Sequence, residues 1–295
     1  VPLPMVPGHE FAGTVQQVGP QVRRWAVGDR VTVPFVLGCG RCGHCAVGDM
    51  HVCPDQVQPG FTYPGSWADL VAVPVADVNV VRLPDGVDMV AGASLGCRFA
   101  TSFRALRTHG RVTAADVVAV HGCGGAGLSA VMIAKALGAR VVAVDVSAEA
   151  RQRAAELGAD ELVDPVEHPD VPGHIRQLTD GGAHVSLDAV GVPAVAAASV
   201  ACLRRRGRHV QVGLLLGPDA SAGIPMDLVV ARELTIHGSH GMPAGDYPEM
   251  LALIASGDLD PRRLVGSVID LVGAPAALRA MDEPSASTGL TVVAL

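Results

Sequence analysis

The pattern of apolar and polar positions changes texture near residue 99. Before it, apolar runs are short, as at 31–33 and 70–73. Turn signals recur at Gly28-Asp29, Pro64-Gly65 and Pro84-Asp85-Gly86, so this part is predicted to be β-rich with little helix. From about Phe99, buried-strand runs alternate with helical periodicity. Strands are predicted at 117–121, 141–145, 161–163, 184–188, 208–213 and 234–238, and helices at 126–137, 148–157, 172–179 and 193–203. That alternation predicts an α/β, doubly wound parallel sheet of the Rossmann kind. Beyond Gly241 a helix over 247–256 leads into a βαβ-like tail at 265–270, 273–281 and 290–295.

The strand over 117–120 runs into Gly122, Gly124 and Gly127, a G-x-G-x-x-G turn that also contains Gly125 and Ala126. Gly138 is the predicted stop of the helix that follows, and the next strand ends on Asp145. Glycine turns are common, and alone they bind nothing. A strand before, a helix after and an acid ending the next strand are the context of a dinucleotide site. The glycines permit a tight turn, close approach to a pyrophosphate and close helix packing, while helix N–H groups hold the phosphates. Asp145 would accept from ribose hydroxyls and repel a 2′-phosphate. Neither Val146 nor Ser147 is basic, so the cofactor is read as NAD rather than NADP. Arg151, the nearest cation downstream, is expected to face solvent.

Composition narrows the class. Of 295 residues 49% are hydrophobic, but no stretch of eighteen is free of charge, Gly and Pro, so no membrane span is expected. No basic segment followed by an apolar one marks a signal peptide. A net charge of −7 argues against a nucleic-acid partner. The arginines at 204, 205, 206 and 208 are expected to cap a helix C-terminus. The chain starts at Val1 without Met and in mid-pattern, which reads as a piece of a longer parent.

Seven cysteines without a secretion signal suggest reduced thiols and a cytoplasmic location. Cys39, Cys42, Cys45 and Cys53 form C-x2-C-x2-C-x7-C, with Gly38, Gly40 and Gly43 letting the backbone curl. Four thiolates close a tetrahedral zinc shell, which makes the site structural. The rival is an iron–sulfur cluster, whose motif also opens C-x2-C-x2-C but has a shorter last gap. His44 and His51 are surplus to a filled shell and are read as surface residues. A second constellation is scattered: His9-Glu10 in PGHEFAG and Cys97 in SLGCRFAT, the latter where the β-rich part hands over to the nucleotide part.

GHEFAGTV at 8–15, GDRV at 28–31, the four-Cys lobe, LGC at 95–97 and GCGGAG at 122–127 together resemble the zinc-containing alcohol dehydrogenases of the medium-chain dehydrogenase/reductase superfamily. The resemblance runs over essentially the whole chain. It implies a GroES-like catalytic domain over 1–98 with a structural-zinc lobe at 38–54, a Rossmann domain over 99–241, and a return to the catalytic domain over 242–295. It implies structural zinc on the four cysteines and catalytic zinc on His9 and Cys97, with Glu10 a carboxylate that enters the shell in some members. Thr101 resembles the residue packed on the nicotinamide, and Val190, Val212 and Ser239 resemble other cofactor-binding positions. Phe35 resembles a substrate-pocket aromatic.

One departure stands out. The family places a further cysteine ligand upstream of its GHE signature, and none of the eight residues before His9 is Cys. The implied activity is hydride transfer between a primary or secondary alcohol and NAD, giving an aldehyde or ketone. The alternative is a non-catalytic NAD-binding or sensing protein with structural zinc only. A homodimer or homotetramer is expected from the resemblance, with 208–240 as the candidate contact region.

Overall fold

Ala12–Thr14 (β1), Arg30–Thr32 (β2) and Val81–Arg82 (β3) form a small antiparallel sheet in that order. The computed structural model that shows this describes residues 3–221, 223–281 and 289–295. Expected limits that take in residues 1–2, 222 and 282–288 lie, at those positions, outside the described residues. The chain divides into two units, Val1–Ala100 with His240–Leu295, and Thr101–Ser239. In the first, strands are fewer than the apolar runs suggested. Residues 70–73, one of the short apolar runs of the β-rich part, are irregular and Leu70 is exposed; no strand among the described residues runs alongside them. Short helices at Gly43–Ala46, Ala76–Asn79 and Met89–Ala93 fill in. Thr32 is fully buried and its hydroxyl donates to the carbonyls of Phe11 and Gly92, which ties the sheet to the last of these helices.

The second unit is built on six parallel strands: Val117–His121 (β4), Arg140–Val144 (β5), Glu161–Val163 (β6), Ala183–Asp188 (β7), Leu203–Gln211 (β8) and Thr235–Gly238 (β9). Their order is β6-β5-β4-β7-β8-β9, so chain progress reverses between β4 and β7. In an open α/β sheet that switch point opens a crevice beyond the strand C-termini, where ligands bind. β4 and β5 are buried over their last four residues, as sheet strands covered on both faces must be. Ala119, Val142, Val163, Ile175, Val200 and Leu203 are among the side chains of the core. The helix Gly125–Ala136 follows β4, and Gly138, at φ 84°, lies just past its end, in a conformation a side chain disfavours.

β8 corrects one expectation. The helix before it, Pro193–Ala201, stops sooner than predicted, and the arginines lie in the strand. The register jumps from Ala183↔Leu203 to Val185↔Arg208, and Arg206 has φ 61°, so residues 204–206 bulge out exposed. The carbonyl of Ala201 is held instead by Arg176 and Arg232. Of the predicted cluster, Arg205 does reach a helix C-terminus, the Ala231 carbonyl, but on another helix.

Back in the first unit, Val265–Ile269 (β10) and Leu290–Val293 (β11) pair in parallel, with the helix Ala274–Ala280 between them in sequence. The helix Tyr247–Ser256 precedes them. Its Tyr247 is fully buried and donates to the Leu95 carbonyl at 3.1 Å. Among the described residues no helix is long and apolar enough to cross a membrane.

Candidate functional site

Cys39, Cys42, Cys45 and Cys53 converge, all four Sγ atoms lying within 4.8 Å of one another. Cys42 Sγ and Cys53 Sγ are 3.7 Å apart. Tetrahedral Zn–S bonds of about 2.3 Å put sulfurs about 3.8 Å apart, so the cage fits one zinc ion. Thiolates gathered around a single point leave no space for an iron–sulfur cluster. The N–H of Cys39 points at Cys53 Sγ at 3.4 Å, and the Arg41 amide on the Cys39 sulfur pulls that thiol down to about 6. Burial pushes Cys45 up to about 12. Gly38 has no room for a side chain, since a Cβ would stand 2.7 Å from Met50 Cβ and 2.9 Å from Cys45 Sγ. Two antiparallel hydrogen bonds between Leu37 and Val57 close the base of the lobe. His44 is exposed as expected, but His51 is 3% exposed, packed into the lobe because its short helix Met50–Val52 covers the cage.

His9 and Cys97 come from distant stretches that meet at Gly96. A Cβ there would lie 3.0 Å from the Val33 carbonyl, 3.2 Å from Glu10 Cα and 3.4 Å from the His9 carbonyl, so a side chain at this position would crowd the approach. Burial lowers the His9 pKa, with Glu10 opposing and Arg98 assisting. The Cys97 thiol is pushed up to about 12, by burial first and then by the Glu10 charge. Glu10 is fully engaged. Oε1 accepts from the N–H groups of Cys97 and Arg98, both at 3.1 Å, and Oε2 accepts from Arg98 Nε at 3.0 Å and Nη2 at 2.6 Å. Among the described residues the four cysteines are the one group that brings three or more ligand atoms together, so His9, Glu10 and Cys97 do not converge in this way. Around His9 stand Phe61, with ring centroids 5.0 Å apart, and Phe35, at 6.0 Å; Phe35 also meets His240 edge-on.

The glycine turn sits at the switch point, after β4. Gly122 has φ 89°, and a Cβ on Gly127 would stand 1.7 Å from the Gly122 carbonyl, so neither tolerates a side chain. Gly124 is different: nothing lies within 4 Å of its Cβ position. As the N-cap of Gly125–Ala136 it supplies no capping side chain, leaving the first N–H groups to a ligand. That open cradle fits a pyrophosphate. Asp145 Oδ2 accepts from the Cys123 N–H at 2.6 Å and Oδ1 from the Ser147 N–H at 2.8 Å, which holds the acid against the turn. Val190 flanks Gly122, where an added Cβ would lie 2.5 Å from its Cγ2. Val212 N–H donates to the Asp188 carbonyl and Ser239 N–H to the Gln211 carbonyl; the buried Ser239 Oγ has no hydrogen-bond partner among the described residues. Thr101 is buried at the start of this unit.

Sequence reasoning missed several groups. Asp188, fully buried, accepts from the N–H groups of Val190 and Gly191 and from Gln211 Nε2. Asn79 holds the lobe, and Arg98 holds Glu10. Arg151 is folded inward against Asp164 rather than facing solvent. The Asp188 bonds to Val190 and Gly191 are a local turn, two and three residues on. The Asn79–Gly38, Arg98–Glu10 and Arg151–Asp164 pairings have no local signal, since folding alone brings those residues together.

Family models match two stretches: an alcohol dehydrogenase GroES-like domain over residues 1–85 and a zinc-binding dehydrogenase over 125–256. An alcohol dehydrogenase of Geobacillus stearothermophilus is 34% identical over 275 residues, covering 91% of this chain and 79% of that one. Among solved structures, the alcohol dehydrogenase TADH from Thermus sp. ATN1 is similar with a TM-score of 0.90 at 31% identity, covering 99% of this chain and 85% of that one. A zinc-binding dehydrogenase from Sinorhizobium meliloti bound to NADP is similar with a TM-score of 0.86 at 28% identity, covering 99% and 83%.

Proposed function

Since the chain belongs to the zinc-binding dehydrogenases that carry an alcohol dehydrogenase GroES-like domain, we propose that it transfers hydride between a primary or secondary alcohol and NAD, interconverting the alcohol with its aldehyde or ketone. The observation that supports the reading is the close backbone approach of the His9-Glu10 stretch to Gly96, beside Cys97, with the Cys97 N–H donating to Glu10 Oε1. A bound zinc would supply Lewis acidity toward the alcohol, and a bound nicotinamide would supply the hydride acceptor. The rest falls to the chain's own residues. His9, whose pKa burial lowers, and Cys97 would hold the metal. Glu10, fixed by the Arg98 side chain, orients the backbone here by accepting the N–H groups of Cys97 and Arg98. Phe35 and Phe61 give the surroundings of His9 an aromatic character. In the other unit the Gly124 cradle takes the pyrophosphate and Asp145 the ribose hydroxyls. Val190, Val212, Ser239 and Thr101 are assigned to the nicotinamide side. The fold itself does not select the cofactor, because a relative of this fold binds NADP. Asp145 is what favours NAD.

Seven unpaired cysteines fit a reducing compartment such as the cytoplasm. Among the described residues β9 ends the sheet with no further strand beside it, which supports a homodimer or homotetramer contact within 208–240. A second reading, an NAD-binding protein with structural zinc alone, draws on the capture of Glu10 by Arg98 and on the absence of a three-ligand group at His9 among the described residues. Metal content and turnover separate the two. Two zinc ions per chain, with NADH formed from a panel of primary and secondary alcohols, support the dehydrogenase. One zinc ion and NAD binding without turnover overturn it in favour of the second reading.

A further inference from the structure

The C-terminal ends of β5 and β6 lie side by side, with the Asp145 N–H reaching the Val163 carbonyl. Asp145 follows one strand and Asp164 the other. Between them lies Arg151, from the helix Ala148–Glu156. One of its Nη atoms donates to the Asp145 carbonyl at 2.7 Å, and the other pairs with Asp164 Oδ2 at 2.7 Å. Both side chains are only 15% exposed. Asp164 is itself fixed, since its Oδ1 accepts from the Val166 N–H at 2.8 Å. The Cys123 thiol, in the glycine turn, feels Asp145 and Arg151 as opposing charges, which sets the guanidinium within electrostatic reach of that turn.

Two opposite devices for the adenosine ribose therefore meet at one strand end. In dinucleotide folds a carboxylate there takes the 2′-hydroxyl, whereas a nearby arginine accommodates a 2′-phosphate. An unpaired guanidinium is well suited to phosphate, both in charge and in its fork of donors. A guanidinium already bonded to a shielded carboxylate must first break that pair.

We propose that Asp164 is a specificity-determining residue for the nucleotide: by clamping Arg151 onto the Asp145 carbonyl it withholds from a 2′-phosphate the arginine that stands beside it. Cofactor choice is then set by two carboxylates in concert. Asp145 repels the phosphate, and Asp164 occupies the cation that would receive it. Replacing Asp145 alone leaves Arg151 occupied. This inference rests on reading the glycine turn as an NAD site.

The test is equilibrium binding of NAD+ and NADP+ to the full chain, as wild type, Asp145→Ser, Asp164→Asn and the double variant. The double variant is expected to gain NADP+ affinity roughly tenfold beyond the product of the single gains, the signature of coupled sites. Adding Arg151→Ala is expected to abolish that excess, and Asp164→Glu, which keeps the charge, is expected to stay at the wild-type preference. Circular dichroism checks the fold, with Asp164→Ser as a second neutral replacement should Asp164→Asn unfold. Strictly multiplicative effects, or an excess that survives Arg151→Ala, overturn the inference while the NAD reading stands. A wild-type chain that prefers NADP+, or binds neither nucleotide, overturns the NAD reading and this inference with it.

Discussion

The side chain of Asn79 holds both backbone groups of Gly38: its Oδ1 accepts the Gly38 N–H at 2.8 Å and its Nδ2 donates to the Gly38 carbonyl at 3.0 Å. Asn79 is 1% exposed and also donates to the Pro74 carbonyl, so one buried amide fastens the cysteine lobe to a helix forty residues on. Asn79→Ala would leave the Gly38 groups buried without partners, at a cost of about 1–3 kcal/mol. A lowered thermal midpoint and faster loss of zinc to a chelator are the expected results, and an unchanged midpoint would show that the lobe does not depend on this anchor.

Cys53 is fully buried and its Sγ contacts both Cys39 and Cys42. Cys53→Ser should remove one zinc per chain, measured by elemental analysis, and open the lobe to proteolysis. Zinc content equal to wild type would mean that the three remaining thiols suffice.

Two glycines of one turn should respond in opposite ways. Gly127→Ala forces a methyl to 1.7 Å from the Gly122 carbonyl and should cost about 3 kcal/mol or more, seen as a fall in denaturant midpoint. Gly124→Ala has open space and an ordinary φ of −76°, so stability should hold or rise by roughly 0.4–1 kcal/mol. The methyl would instead fill the phosphate cradle, and NAD affinity should drop by about tenfold, or about 1.4 kcal/mol. Gly124→Ala binding NAD as wild type does would place the pyrophosphate elsewhere.

His121, at the end of β4, is 2% exposed, and its pKa is pushed down to about 3, first by burial and then by the His209 charge. Its folded pKa is below its unfolded value of 6.5, so the unfolded chain binds a proton the folded chain refuses. The native advantage is whole above about pH 6.5 and erodes as pH falls toward 3. Between about pH 6.5 and 5, above the usual carboxylate range, the unfolding free energy should decline by up to about 1.4 kcal/mol per pH unit for this one site. Denaturant titrations across that window check it, and His121→Gln should make the slope shallower. An identical slope in the variant would assign the effect to other groups.

The turn from β4 to Asp145 was legible because its causes are local. A strand run, glycines where a Cβ collides, and a helix stop at Gly138 all act within a few residues of chain. The four-cysteine cage was legible for the same reason, since its ligands lie within fifteen residues and curl around one point. Where partners are distant, the pattern misled. Residues 70–73 are a short apolar run of the β-rich part but have no neighbour strand among the described residues. The arginines at 204–206 look like a helix cap but bulge from β8. His51, surplus to the four-thiol shell, looks like a surface residue but is buried.

By itself, then, the sequence determined the alternating α/β order, the four-cysteine lobe and the glycine turn, because backbone sterics and ligand spacing are properties of short segments. Only the tertiary structure decided that Glu10 is spent on Arg98, that Asn79 grips Gly38, and that Arg151 turns inward onto Asp164. Those outcomes depend on which charges and amides are buried together. Burial is a property of the assembled fold, and no stretch of chain carries it alone.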